Sequence, residues 1–329
     1  MPLLATELMR QGTSINQKAL SKLLKVLMTI PNNHAKTGNI IKYSFNEIAR
    51  NALKSINKEA CLPLFPASTS KLMVQLVEPY KGVVFDPVCQ LGDSIVEAGA
   101  LMKLHNETIY DADFCGQVAN IPLWHICCMN SVINGIKSNR IIWDINFAID
   151  TDNFKTLKAD TILCSPPYNF RNFEWLNYCI SHLNDGGNAT LLLSKASLDS
   201  KTGNGQLLRE NVINNNLLDC IVLLPDNIIP QKPLCIWVIS KDRRTGSELN
   251  RKRMDEILFI NTTAGHRGEN NDLAQLEINK ITRLYHKWKR SGIKGFSSAV
   301  TKCIGTKDIV NSGYNLLMKN IVVPGHKER

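Results

Sequence analysis

The sequence predicts an α/β protein with a doubly wound, mostly parallel sheet. Short apolar runs alternate with stretches of helical spacing through the middle of the chain, the order that puts helices on both faces of a parallel sheet. Three of those runs end in an acid, at Asp86, Asp113 and Asp144. Another run, Ala159-Asp160-Thr161-Ile162-Leu163, leads into Cys164-Ser165-Pro166-Pro167-Tyr168. Two consecutive prolines have no N–H to donate, so the chain must leave its ladder there.

Residues 1–60 read as a short helical appendage. Leu20, Leu23, Leu24 and Leu27 fall at helical spacing, and Ser44-Phe45-Asn46-Glu47-Ile48-Ala49 opens a further helix. Ser68 or Thr69 is placed to cap a helix over residues 71–77. The first strand, Gly82-Val83-Val84-Phe85-Asp86-Pro87, is followed by a turn over residues 88–94 and a helix from Ile95. The second strand is read at Thr108-Ile109-Tyr110-Asp111-Ala112-Asp113, and a helix over residues 123–133 has its cap at Asn120 and its stop at Asn134-Gly135. Arg140-Ile141-Ile142-Trp143-Asp144 is the third strand and residues 161–164 the fourth. A helix over 174–183, a strand over 188–193, a helix over 207–214 and strands over 219–224, 233–239 and 256–260 follow. A charged turn, not a helix, joins the last two, which predicts a mixed, partly antiparallel edge. Beyond Asn270 the chain is polar, helical over 273–288, then a strand-poor tail with Gly292, Gly295, Gly305 and Gly313. The expected domains are 1–60, 61–262 with the sheet, and 263–329 as a polar helical tail.

A chain of 329 residues with 44% hydrophobic and 21% charged content can bury a sizeable core and is not compositionally disordered. No apolar run approaches the length of a membrane span, and Met1-Pro2-Leu3-Leu4-Ala5-Thr6-Glu7 lacks the basic start and apolar core of a leader. The ten cysteines have no framework spacing, and Cys164, Cys220 and Cys235 lie inside apolar runs, which points to a reducing, cytoplasmic setting. Cys115, His125, Cys127 and Cys128 are not read as a metal site, because adjacent helical cysteines diverge and no second ligand pair follows. A net charge of +10 and a pI near 9.1 suit a nucleic-acid partner. The basic clusters are Lys241-Asp242-Arg243-Arg244, Arg251-Lys252-Arg253 and His286-Lys287-Trp288-Lys289-Arg290.

In an open α/β sheet the strand ends meet along one edge. An acid ending the second strand suits the two hydroxyls of a ribose, and one ending the third suits an adenine amine. The phosphate-loop pattern Gly-x-x-x-x-Gly-Lys is absent, so a nucleoside-bearing ligand without a triphosphate, S-adenosylmethionine, fits better. Any one such acid serves equally well as a helix cap; three in order followed by Ser-Pro-Pro-Tyr carry more weight. In that turn a hydroxyl, aligned carbonyls and an aromatic plane suit a planar base with an exocyclic amine, although alone it is equally a strand exit with a half-buried tyrosine.

Taken together, these motifs resemble the amino-methylating DNA methyltransferases, specifically the modification subunit of type I restriction-modification systems. The resemblance spans residues 61–323. Phe65-Pro66-Ala67-Ser68-Thr69 is similar to the family's segment closing over the cofactor's methionine part, and Phe85-Asp86-Pro87-Val88-Cys89-Gln90-Leu91-Gly92 to its cofactor loop. Ile109-Tyr110-Asp111-Ala112-Asp113 matches the ribose strand end, Asp144 the adenine-side acid, and Ser165-Pro166-Pro167-Tyr168 the catalytic motif. Leu223-Leu224-Pro225, Gly295-Phe296-Ser297 and Gly313-Tyr314-Asn315-Leu316 extend the match. The resemblance implies a fold of the S-adenosylmethionine-dependent methyltransferase type and catalytic residues Ser165, Pro166, Pro167 and Tyr168. It implies cofactor contacts from Phe65, Thr69, Asp86, Cys89, Gly92, Asp113 and Asp144, and it implies DNA and a separate specificity subunit as partners. Two positions depart from the pattern: Gln90 stands where the loop has its first glycine, and Ser165 where these subunits carry asparagine, as in cytosine-N4 enzymes. The implied reaction is methylation of an exocyclic amine, adenine N6 ahead of cytosine N4. The alternatives are an RNA or protein-glutamine methyltransferase and a degenerate fold kept for binding or assembly.

Overall fold

A computed structural model describes residues 42, 44–50, 65–105, 112–168, 171–201, 204–226, 228–229, 232–246, 250–262, 273–292 and 300–317. The chain divides into a unit of residues 1–53 and a unit of residues 54–329. In the first, residues 44–50 are helical, where the sequence opens a helix; the leucine stripe at 20–27 lies outside the described residues.

Among the described residues, the second unit is built on one nine-stranded sheet. Its strands are β1 (Gly82–Asp86), β2 (Ala112–Val118), β3 (Arg140–Trp143), β4 (Ala159–Cys164), β5 (Leu183–Ser194), β6 (Leu218–Leu223), β7 (Leu234–Ser240), β8 (Glu256–Asn261) and β9 (Thr301–Gly305). They lie in the order β3-β2-β1-β4-β5-β7-β6-β8-β9. The helices are α1 (Ala67–Val77), α2 (Asp93–His105), α3 (Ile121–Ile133), α4 (Asn172–His182), α5 (Gly205–Asn214), α6 (Gln275–Ser291) and α7 (Thr306–Asn311). β1 to β5 pair in parallel. β7 runs antiparallel to both β5 and β6, and β9 antiparallel to β8, so the sheet is mixed as expected, but not through the charged connection: β6 separates β7 from β8 and pairs with β8 in parallel. The central strands are continuous apolar runs because both faces are covered: all seven residues of β7 are buried. β1 has β2 on one side and β4 on the other. The strand order therefore reverses at β1, and a ligand belongs at the carboxyl ends of these strands.

Three elements differ from the sequence expectation. β2 begins at Ala112 and ends at Val118, so Asp113 opens the strand and does not end it. Residues 108–111 of the expected strand lie outside the described residues, while Cys115-Gly116-Gln117, left unassigned between that strand and the Asn120 cap, are strand. Gly116 is needed there because a Cβ would sit on Cys89 Sγ. α1 starts at Ala67 after Pro66, with no side-chain cap; the Thr69 hydroxyl instead donates to the Pro66 carbonyl (2.6 Å). The stretch read as strand-poor supplies β9, a short, partly polar strand whose pairing with β8 is tertiary and leaves little local pattern.

The basic clusters also resolve differently from a surface patch. Arg243 and Arg253 are about as buried as side chains get, at 1% and 0% exposure. Both pair with buried Asp219, at 3.1 and 3.0 Å, and the Tyr285 hydroxyl of α6 donates to the same carboxylate (2.7 Å). Lys289 is buried beside them. Desolvation of that many charges is tolerable only because they pair, so these cations staple α6 and the β7–β8 connection to β6.

Candidate functional site

The carboxyl ends of β1 and β4 lie side by side, since Phe85 pairs with Ile162 in parallel register. From β1 the chain turns through residues 87–92 into α2. Asp86 is almost fully buried, and its Oδ1 accepts from the Val88 N–H (2.9 Å). Burial pushes its carboxyl up to about 7. The Cys89 N–H donates to the Gln117 carbonyl (3.0 Å), and its thiol, held 3.1 Å from the Asp86 carbonyl, is pushed up by burial. Asn130 of α3 donates to the Leu91 carbonyl (3.0 Å). Gly92 has a φ of 79°, and a Cβ there would meet Cys127 Sγ, so the turn requires glycine. Gln90, at a φ of 47°, takes the left-handed conformation with a full side chain. Its Nε2 is buried with no hydrogen-bond partner among the described residues.

At β4 the chain leaves the sheet after Cys164. Ser165 is buried, and its hydroxyl donates to Met73 Sδ of α1 (3.5 Å). α4 opens with Asn172, whose Nδ2 donates to the Ser194 hydroxyl at the end of β5 (2.9 Å). Tyr168 is half-buried, which raises its hydroxyl pKa. Lys232 Nζ lies 5.5 Å from the Tyr168 ring centroid, a cation–π arrangement. Lys195, just past β5, pairs with Asp226. Phe65 and Thr69 are buried at the start of α1, the helix whose Met73 touches Ser165.

Asp144 follows β3 on the same edge, with its N–H donating to the Val118 carbonyl (3.2 Å). Its Oδ1 accepts from the Asn146 N–H (2.9 Å) and its Oδ2 from Asn153 Nδ2 (2.6 Å). Hydrogen bonding, first from the Asn146 backbone, lowers its pKa. Asp113 is a correction. It is paired with Val83 at the start of β1, while Asp86 is level with Gly116, and its carboxylate pairs with Arg140. It therefore lies at the opposite end of β2 from the other strand-end groups.

The position beyond β2 is taken by residues the sequence reading passed over. Between the β1 turn and the end of β2 lies a cavity of about 10 Å³. It is walled by Val88 and Gln90, by Gln117 and Val118, and by Leu123 and Phe147, and no acid lines it. Gln117 is committed elsewhere: its Nε2 donates to the Asn146 carbonyl (2.7 Å). The sign in the sequence was Val118 itself, an apolar residue followed by the Asn120 helix cap, once β2 is allowed to run through Gly116.

A family model described as N-6 DNA Methylase matches residues 63–174 and 169–329. The chain belongs to the N-6 DNA methylase family. The methylase subunit of the type I restriction enzyme HindI from Haemophilus influenzae is 28% identical over 285 residues, 76% of this chain and 61% of that protein. The MjaIX methylase subunit of Methanocaldococcus jannaschii is 22% identical over 60% of this chain and 39% of its own length. The chain thus spans only part of the curated methylase subunits it matches. Among solved structures, a type I restriction-modification methyltransferase subunit from Streptococcus thermophilus superposes with a TM-score of 0.70 at 18% identity, covering 89% of this chain and 65% of that one. A class I S-adenosylmethionine-dependent methyltransferase from Listeria monocytogenes gives 0.53 at 14% identity, covering 74% and 79%. The sheet is therefore of the S-adenosylmethionine-dependent methyltransferase type, as the sequence resemblance implies.

The crevice of this chain does not fit the cofactor of that fold. Between Gln90 and Val118, where the nucleoside would sit, the void is about 10 Å³, room for about one water. No carboxylate lines this void to take the two ribose hydroxyls together, and the Gln90 side chain occupies it with its Nε2 unpartnered among the described residues.

Among the described residues, no three His, Cys, Asp or Glu side chains converge as a metal set, and no helix is long and apolar enough to cross a membrane.

Proposed function

We propose that this chain is a DNA-handling subunit of the type I methylase kind, whose β4 turn holds the exocyclic amine of a base flipped from the duplex, adenine N6 ahead of cytosine N4. The observation that carries this reading is the Ser165-Pro166-Pro167-Tyr168 turn at the carboxyl end of β4, beside the switch point of the sheet. The Ser165 hydroxyl, released from Met73, and the Pro166 carbonyl accept from the two amine hydrogens and fix the nitrogen's orientation. Tyr168 stacks on the base face. In the family this fold serves transfer of a methyl group from S-adenosylmethionine; the crevice does not fit that cofactor, so the residues are assigned only the holding of the base.

A basic, outward-facing α6 stripe of Lys280, Arg283, Lys287 and Arg290 favours a nucleic acid over a protein substrate. No segment is assigned to reading sequence, and the partner for that task is a separate specificity subunit. The reading of the fold as an assembly module is favoured by the small, acid-free crevice.

The test uses duplexes with 2-aminopurine at a mismatched site, where extrusion is easiest. Fluorescence should rise on binding. Tyr168→Ala should remove a contact of roughly 1–3 kcal/mol and abolish most of the change. If Tyr168→Ala and Ser165→Ala both leave the signal at the wild-type level, the turn does not hold a base.

A further inference from the structure

We infer that this chain does not itself bind S-adenosylmethionine, and that Gln90 and Val118 exclude it. The family's fold would seat the cofactor between the β1 turn and the end of β2, and in this chain three separate features oppose that. The first is the backbone. Gln90 holds a φ of 47°, a conformation glycine adopts freely and side-chain-bearing residues rarely do. Its side chain lines the crevice, and its Nε2 is buried there without a hydrogen-bond partner among the described residues. A glycine would leave that volume empty.

The second feature is the end of β2. Recognition of a ribose in an open α/β sheet calls for an acid at about this point, and the strand closes on Val118, 2% exposed. The acid that the sequence offered, Asp113, is at the other end of the strand and held by Arg140. Asp144 is adjacent, but both of its oxygens accept from its own loop, from Asn146 and Asn153. The third feature is space. Leu123 and Phe147 face Gln90 and Val118 across a void of about 10 Å³, room for no more than a single water.

The Ser165-Pro166-Pro167-Tyr168 turn includes neither Gln90 nor Val118. This inference does not rest on the base-holding reading, and its test does not use DNA.

Calorimetric titration of the full chain with S-adenosylmethionine, with ligand-induced shift of thermal unfolding as the second readout, decides it. Wild type should give no saturable binding in the micromolar range. Gln90→Gly should bind at millimolar ligand where wild type does not. Gln90→Gly with Val118→Glu should bind at least about tenfold tighter again, the step that one well-made charged contact yields. Asp113→Ala in the double variant should change nothing. Circular dichroism establishes that each variant is folded. If the double variant is not, Gln90→Gly alone decides: a gain supports the assignment and no gain refutes it. Low-micromolar binding by wild type overturns the inference. Folded variants that gain nothing overturn the assignment of the exclusion to these two side chains, and a loss on Asp113→Ala overturns the placement of the ribose end.

Discussion

A carboxyl group sealed at the end of a strand is a proton store. Asp86 titrates near 3.8 when exposed and near 7 in the folded chain, because burial disfavours its charge. Between those values the folded state keeps a proton that the unfolded state has released. Stability therefore falls as pH rises through that window and levels off above about 7. The slope approaches 1.4 kcal/mol per pH unit at most. Asp86→Asn keeps an acceptor for the Val88 N–H and removes the charge, so it should flatten the slope; urea unfolding at about pH 5 and about pH 8 measures it, and an unchanged slope places the titration elsewhere. At this scale the sequence was informative where chemistry forces a residue type. The two prolines had to leave the sheet. It misled at Asp113, because an acid after a β-branched run looks like a strand end whichever end of the strand it occupies. The burial of Asp86 could not be read at all, since it depends on what α2 and β4 bring over it.

Among the elements, β6, the β7–β8 connection and α6 depend on one carboxylate. Asp219 compensates Arg243 and Arg253 and accepts from Tyr285. Asp219→Ala would leave two buried guanidinium groups without it, and should destabilise the fold by about 3–5 kcal/mol with the β4 turn unaltered. Urea unfolding gives the size of the loss; a change under about 1 kcal/mol, the value of an exposed pair, would mean water reaches the network. These cations were legible as basic clusters but not as buried ones, because a sequence shows which charges are near in the chain and not which acid folds over them. α6 shows the same limit. Tyr285, Trp288 and Lys289 face inward, while Lys280, Arg283, Lys287 and Arg290 face out, and helical spacing alone could have sorted them. β9 was missed because five residues with a lysine and a terminal glycine make a strand only when β8 lies beside them.

Over the molecule as a whole, the charge left for DNA is smaller than the net figure of +10 suggests, since several cations are spent inside. We expect weak binding that is blind to sequence and falls steeply with salt. If Arg283 and Arg290 each neutralise a phosphate, replacing both with alanine should reduce the slope of log K against log salt by about 1.8, at about 0.9 per contact. Binding measured across a salt series by fluorescence anisotropy tests this, and an unaltered slope would place the DNA on another face.

The sheet's two borders are its shortest parallel and antiparallel members. β3 has four residues and β9 five, whereas β5 has twelve. An interior strand such as β8, with Ile257, Leu258, Phe259 and Ile260 fully buried, would be hazardous as a border. Its open row of amides and carbonyls would recruit the same strand from another copy, and the ladder would grow from molecule to molecule. β9 ends that growth: it satisfies β8 on one side and offers the next copy only a brief, half-polar rim.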